Sequence, residues 1–444
     1  MWRQPSARPS VKGIQHSFHE KVSHSVSSTH HNPDVIVVGA GLFGLATAYH
    51  LARAGKRVTV IDSGEPATGT TKAGAGFVGL WAAGYAWYWN ASERDLEQYG
   101  IDFYRSLHAQ GRDIGYRQTG NLWLSVTDAG YRDHILPFDR HPLRPEGGQL
   151  LTPNQVAEHA PGVNPAAVTG GYLHPHGIQI SAPDAGLALA DAARELGVHV
   201  VPNHAVSGVL TENGRAIGVR TADGESLLAA SVVIAAGSWT NTLLEPFGRQ
   251  LPFLRVIASR LTSEPFGLGA HPTLMLPELD GLWVREHRGG LTYGNGAGYE
   301  TLVQNNTPAD RRPARTDLID AMRASLAPAL AALIPAGGSY TQTAEWTQGV
   351  VSYTADRRFF AGAVPEVAGL FAVAGCNESG VTHGPALGRI TAGHVLSAGH
   401  GIDPAHIVGD PTRYLLDRQG GEALPDEDSV GAAMPARRAV DRAA

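Results

Sequence analysis

The sequence lacks most of what would suit secretion, membrane residence or nucleic-acid binding. Its 444 residues include one cysteine, Cys376, so no intrachain disulfide can form and a reducing, cytoplasmic location is the expectation. No apolar run approaches the roughly 18 residues that span a bilayer, so no membrane span is expected. The net charge is −6 and neither sign forms a block, which argues against a nucleic-acid partner. No His, Cys, Asp or Glu cluster has metal-ligand spacing, so no metal is expected. No Ser/His/Asp or paired-carboxylate constellation stands out either. Residues 1–33 contain a single carboxylate, Glu20, and no apolar core of a secretion signal. They read as a disordered N-terminal extension with solvated histidines, although an organelle transit peptide shares some of that composition.

What is present suits a loop-rich α/β enzyme. The length fits two domains, the apolar share of 43% allows sizeable cores, and most of the 54 glycines cluster between apolar runs. Val35-Ile36-Val37-Val38 is an unbroken β-branched run, as expected of a central parallel strand. It leads into Gly39-Ala40-Gly41-Leu42-Phe43-Gly44, then a helical pattern ending near Gly55, then a second strand closed by Asp62. A G-x-G-x-x-G between strand and helix, with an acid beyond it, is a specific dinucleotide signature. Gly39 makes the tight turn, Gly41 admits the pyrophosphate, and Gly44 lets the helix pack closely. The helix N-terminus supplies N–H donors, and Asp62, followed by Ser63, would accept the ribose hydroxyls and disfavour a 2′-phosphate.

That motif leaves NAD and FAD open. The next stretch, Gly69-Thr70-Thr71-Lys72-Ala73-Gly74-Ala75-Gly76, is a second Gly/Thr loop of the kind a flavin needs along its ribityl chain and ring. Thr70 and Thr71 could bond the phosphates. A further strand–loop–helix begins at Leu370 and passes through Gly375, Cys376, Asn377, Glu378, Ser379, Gly380, Val381 and Thr382. Its N–H groups and helix dipole could meet the flavin C2 carbonyl, where negative charge develops on reduction.

Taken in order, "VIVVGAGLFGLATAYHLARAG", "GTTKAGAG", "VVIAAGSWT", "SYTADRRFFAG" and "VAGCNESGVTHGPALGRITAG" resemble the D-amino acid oxidase / glycine oxidase / sarcosine oxidase family. The resemblance implies an α/β fold with a Rossmann-type, GR2-like FAD-binding domain. An α+β substrate domain on a large mixed or antiparallel sheet is inserted into it. The expected limits are 34–100, 151–242 and 345–402 for the FAD domain. Those for the substrate domain are 101–150 and 243–344, leaving 403–444 as a C-terminal tail. By analogy Val206 borders the adenine, and Ala236, Gly237 and Trp239 match a segment near the cofactor.

The activity so implied is FAD-dependent oxidation of a C–N bond in a small amine or amino acid. Hydride passes to flavin N5 and an imine forms, with O2 or another carrier taking the electrons. A homo-oligomer is compatible with the family. Relatives with covalent flavin use a His or Cys at places held here by Ala73 and, roughly, Gly349, so non-covalent FAD is expected. Cys376 reads as a small buried apolar residue. Relatives that clamp a substrate carboxylate carry Arg where this chain has Val351, which turns the substrate toward an amine or an N-substituted or unusual amino acid.

Arg285 is a candidate replacement for that Arg, and its plainer reading is a surface ion pair with Glu286. The aromatic segment Trp81, Tyr85, Trp87 is a candidate pocket wall for a cationic amine. Tyr353 and His383 are candidate catalytic residues. His174 and His176 are further pocket candidates, and Lys72 is the loop cation that could stand near N5. Two rival readings stay open. One is a FAD-dependent 2-hydroxy acid or alcohol dehydrogenase, with His383 or His287 as base. The other is a flavin-binding subunit of a larger complex.

Overall fold

In the computed structural model, residues 32–79, 90–302, 315–398 and 400–418 are described. The 1–31 segment, the Trp81–Tyr85–Trp87 wall and residues 419–444 lie outside them. The strand Val35–Val38 is buried along its whole length. Val35 and Val37 belong to a core shared with helices, whereas Ile36 and Val38 face a second core on the opposite side. A strand covered on both faces needs apolar residues at every position, which is why the run is unbroken rather than alternating.

This strand sits inside a six-stranded sheet. Its order is Phe360–Ala363, Leu370–Ala374, Ser231–Ile234, Val35–Val38, Val58–Ile61 and His199–Val201. All neighbours are parallel except the first pair. Helices Leu42–Arg53, Ala182–Glu195 and Gly380–Leu396 supply one covering layer. The antiparallel meander Val206–Glu212, Arg215–Thr221, Ser226–Leu228 contributes Ala216 and Val219 to the core on the other side. This is a Rossmann-type arrangement with an inserted second sheet.

That second sheet has nine strands and is mixed: most pairs are antiparallel, while Thr273–Leu276 runs parallel to Asn121–Ser125. Its longest ladder joins Phe253–Thr262 to Glu345–Thr354 over ten residue pairs. One face carries leucines against the helix Thr316–Leu333. The other face turns toward the Rossmann-type sheet. The two are tied at the Val350 carbonyl, which accepts from Thr70 Oγ1 at 2.6 Å and from Ser238 Oγ at 2.8 Å.

Strand pairing and packing depart from four of the expected limits. Gly170–His174 and Glu345–Thr354 lie within the ranges assigned to the FAD domain, yet both pair in the nine-stranded sheet. The helix Ala91–Ala109, partly assigned to the substrate domain, buries Leu96, Ile101, Tyr104 and Leu107 in the core under the Rossmann-type sheet. Within the expected tail, residues 403–418 pack onto the body: Tyr414 is fully buried and bonds Ser92, and Arg418 grips Asp356 through two nitrogens at 2.8 and 2.9 Å. Among the described residues no helix is long and apolar enough to cross a membrane.

Candidate active site

A cavity of about 590 Å³ opens where the two sheets meet. The turn Gly39–Phe43 lines one end with Asp62 and Ser63, and the loop Gly69–Ala75 runs along a side. Val206 at the start of the meander, and Ala236, Gly237 and Trp239 just after the strand Ser231–Ile234, line it from the Rossmann-type half. From the nine-stranded sheet come Ala258, Ser259, Arg260, Trp283, Tyr299, Gly349 and Val351, and from the loop before Gly380–Leu396 come Cys376 and Glu378, with Gly380 and Val381 following.

The first turn has the shape its glycines demand. Gly39 has φ +116°, and a Cβ there would stand 2.3 Å from the Ala235 carbonyl oxygen. A Cβ on Gly44 would stand 1.9 Å from the Gly39 carbonyl, so Gly44 sets how closely the helix approaches the strand. Around Gly41 the nearest atom to such a Cβ is Thr71 Oγ1 at 3.4 Å, so this side of the turn is open to the cavity. Asp62 is oriented by its neighbours: Oδ2 accepts from Ala40 N at 2.6 Å and Oδ1 from Gly64 N at 2.9 Å.

Two helix N-termini meet at this cavity. The helices Leu42–Arg53 and Gly380–Leu396 pack side by side through small residues: a Cβ on Gly388 would fall 2.5 Å from Ala46 Cβ, and one on Gly384 3.2 Å from the Phe43 ring. Neither N-cap residue, Gly41 or Ser379, caps its helix with a side chain; Leu42 N donates to Thr71 Oγ1 at 3.2 Å, while both positive dipole ends line the cavity at Phe43, Gly380 and Val381. The Trp239 indole N–H, which is buried, also lacks a partner.

The second loop is braced by two buried arginines. Arg285 donates to the Ala75, Ile180 and Glu286 carbonyls at 2.5, 2.9 and 2.9 Å. Burial, with Arg260 nearby, lowers its guanidinium to about 9. It does not line the cavity, and it makes no ion pair with Glu286, whose carboxylate accepts from Gly289 N at 2.6 Å. Both expectations for Arg285 are therefore corrected: its donors are committed to backbone, because Gly76 leaves room for the guanidinium. Arg260 donates to Lys72 O at 3.0 Å and to Thr262 and Thr292, and burial lowers it to about 10. Lys72 itself is exposed and outside the cavity; among the described residues, Arg260 is the cation that reaches the wall.

The catalytic candidates separate. His383 is fully buried against the Phe359 ring, 4.8 Å away, and burial lowers it to about 3. His287 is lowered by burial to about 4. His174 pairs with Glu97 in the interior at 3.3 Å, and His176 bonds the Glu146 carbonyl. No histidine lines the cavity among the described residues. Tyr353 is buried behind the wall, yet its hydroxyl donates to Glu378 at 2.5 Å, and Tyr299 donates to the other carboxylate oxygen. Burial pushes Glu378 up to about 8.

Of the other expected cofactor residues, Gly44, Lys72, Gly76, Gly375, Asn377, Ser379 and Thr382 do not line the cavity. Asn377 spends its amide on Thr354, Arg358 and Gly375, bracing the loop. The hydroxyl of Thr70 is committed to Val350, which removes it as a phosphate donor. Cys376 departs from the buried reading, since it lines the cavity beside Ser352. Sequence reading missed Arg260, Trp283 and Tyr299. The two arginines inside the otherwise apolar strand "LRVIASRLT", Arg255 and Arg260, were the available signal.

A sequence model of the FAD dependent oxidoreductase family (DAO) matches residues 34–393. The chain belongs to this family. It is thus a FAD-dependent oxidoreductase. It is similar to the uncharacterized oxidoreductase YurR of Bacillus subtilis, at 31% identity over 81% of this chain and 94% of that protein. It also resembles the formaldehyde-forming 4-methylaminobutanoate oxidase of Paenarthrobacter nicotinovorans, 28% identical over 89% of this chain, which spans about half (47%) of that longer protein. The crystal structure of glycine oxidase from Geobacillus kaustophilus shares the fold, with a TM-score of 0.69 and 24% identity, covering 86% of this chain and 99% of that one.

The site of this FAD-dependent oxidoreductase fits its cofactor. Two helix ends at the cavity, an orphaned indole N–H and a glycine turn without obstructing side chains make a donor set for a pyrophosphate and a ring carbonyl. The cavity continues past them to the mixed sheet, where a small molecule can lie against the ring.

Proposed function

We propose that this oxidoreductase oxidises a C–N bond of a small amine, or of an N-substituted or unusual amino acid, to an imine. When bound, FAD supplies the two-electron acceptor for this chemistry. Its pyrophosphate would rest on Gly39, Gly41, Leu42 and Phe43, its ribose on Asp62 and Ser63, and its adenine beside Val206. The ring would lie between Ala73–Ala75 and Ala236–Trp239 on one side and Glu378, Gly380 and Val381 on the other. Ala73 and Gly349 offer no nucleophile, which supports non-covalent attachment.

One observation favours an amine: the wall carries a carboxyl, Glu378, beside the aromatic side chains Trp283 and Tyr299, a setting that accepts a small ammonium group. The chain's part is to hold the donor carbon at the ring and exclude water, through Trp283, Ala258 and Val351. Val351 gives a substrate carboxylate no clamp at that point. The formaldehyde-forming relative named above acts on a methylamino compound.

The test is anaerobic mixing of the yellow holoenzyme with amines, N-methyl amino acids and 2-hydroxy acids. The expected result is bleaching near roughly 450 nm, the oxidised flavin band, with one of the first two groups. Bleaching by hydroxy acids alone would overturn the reading, and no bleaching by any compound would favour a subunit that depends on a partner.

A further inference from the structure

Glu378 is held from two sides of one sheet strand. Tyr299 stands opposite Ala258 on one flank of Phe253–Thr262, and Tyr353 stands opposite Leu254 on the other. Residues opposite one another in an antiparallel ladder point to the same face, and the two hydroxyls converge, each on its own oxygen of Glu378. The backbone is held in a costly conformation to make this possible. Asn377 and Glu378 have φ of +44° and +63°, a region that residues with side chains enter at a cost and that clusters at functional sites.

The carboxyl is short of one thing, a cation. Burial raises it, and among the described residues no positive side chain offsets that effect. A buried carboxylate without a cation is expensive, and two tyrosine donors ease that cost without cancelling the charge. Its open side faces the cavity. The other ionisable groups around it are Tyr299 and Tyr353, the Cys376 thiol in the same wall, and Arg357, which acts on Tyr353. Arg260 lines the cavity two residues further along the strand from Ala258, about 7 Å by strand geometry, and its donors are turned to Lys72, Thr262 and Thr292.

We propose that Glu378, gripped by Tyr299 and Tyr353, receives the protonated amine of the substrate and takes its proton, so that the amine meets the flavin face neutral. This rests on the amine reading given above. In the step an ammonium N–H bond breaks, the proton moves to a Glu378 oxygen, and the electron pair stays on nitrogen. No electron leaves the substrate until the C–N oxidation that follows. Glu378 would then be the catalytic residue, with Tyr299 and Tyr353 positioning it.

The test uses the FAD-loaded full chain and tert-butylammonium, which has no α-hydrogen and cannot be oxidised. Binding is read from the perturbed flavin absorbance, with tert-butanol as the neutral isostere. Glu378→Gln is expected to weaken tert-butylammonium about tenfold or more, equivalent to about 1.4 kcal/mol, and to leave tert-butanol unchanged. Equal ammonium affinity in E378Q, or none in the wild type, overturns the proposal.

If E378Q does not retain flavin, Tyr299→Phe takes its place. Losing one donor disfavours the charged carboxylate, so the pH limb of ammonium binding moves upward; an unmoved limb overturns the proposal. Should no amine bleach the wild-type flavin, the proposed function fails while ammonium binding still decides the role of Glu378.

Discussion

The two sheets that bound the cavity contribute to it in opposite ways. The parallel sheet offers mainly backbone: glycine turns, two helix ends and short strands whose central side chains are taken up by the cores. The mixed sheet offers side chains, since one face packs leucines on a helix and the other presents Arg260, Trp283, Tyr299 and Val351 to the cavity. Cofactor binding by N–H groups tolerates almost any side chain that leaves the space open. Substrate choice on the facing sheet changes with each residue. The first region is therefore sensitive to added atoms and the second to altered chemistry.

The largest expected effect tests the first half of that contrast. Gly44→Val forces a side chain into the Gly39 carbonyl and should cost about 3 kcal/mol and strip the flavin, read by thermal unfolding and by colour after gel filtration. Normal melting with flavin retained would break the comparison. Arg285→Met comes next. It leaves the Ala75 and Ile180 carbonyls without donors and should lower stability by about 2 kcal/mol, loosening the second loop and its hold on flavin. A change in substrate affinity with unfolding unaltered would instead restore Arg285 as a clamp.

His383 gives a pH-dependent prediction. Its folded-state value, about 3, lies below the ordinary 6.5, so it stays neutral when folded and takes up a proton on unfolding in acid. Its contribution is fully present above pH 6.5 and is lost as pH falls from there toward about 3, at about 1.4 kcal/mol per unit. Denaturant melts of His383→Leu should show a flatter pH dependence in that window, with oxidation rate at neutral pH retained. A large loss of rate with flavin and fold intact would return His383 to the chemistry. The smallest effect is chemical silence: acid precipitation of the wild type should release FAD to the supernatant. Colour staying in the pellet, and released by Cys376→Ser, would identify Cys376 as a covalent anchor.

The Rossmann-type half was legible because its signals are local. Gly44 and Asp62 do their work within one strand–turn–helix–strand unit, so spacing along the chain reports spacing in the fold. The mixed sheet was less legible because its cavity face is assembled from four strands spread along the sequence. Glu378 was read as part of a flavin loop, and its partners Tyr299 and Tyr353 come from either flank of one distant strand. Arg285 misled because a charged residue in a strand was read as exposed or substrate-facing, whereas a glycine at 76 leaves a pocket that absorbs its guanidinium.

By itself the sequence determined the family, the cofactor and the turn that receives it, since these rest on short-range backbone geometry that only certain residues permit. Tertiary structure alone decided which charges reach the cavity. It removed Lys72, Arg285 and His383 from the wall and brought in Arg260, Tyr299 and Cys376. The reason is physical: whether a polar group is free to act depends on the carbonyls and hydroxyls that surround it, and those arrive from other strands.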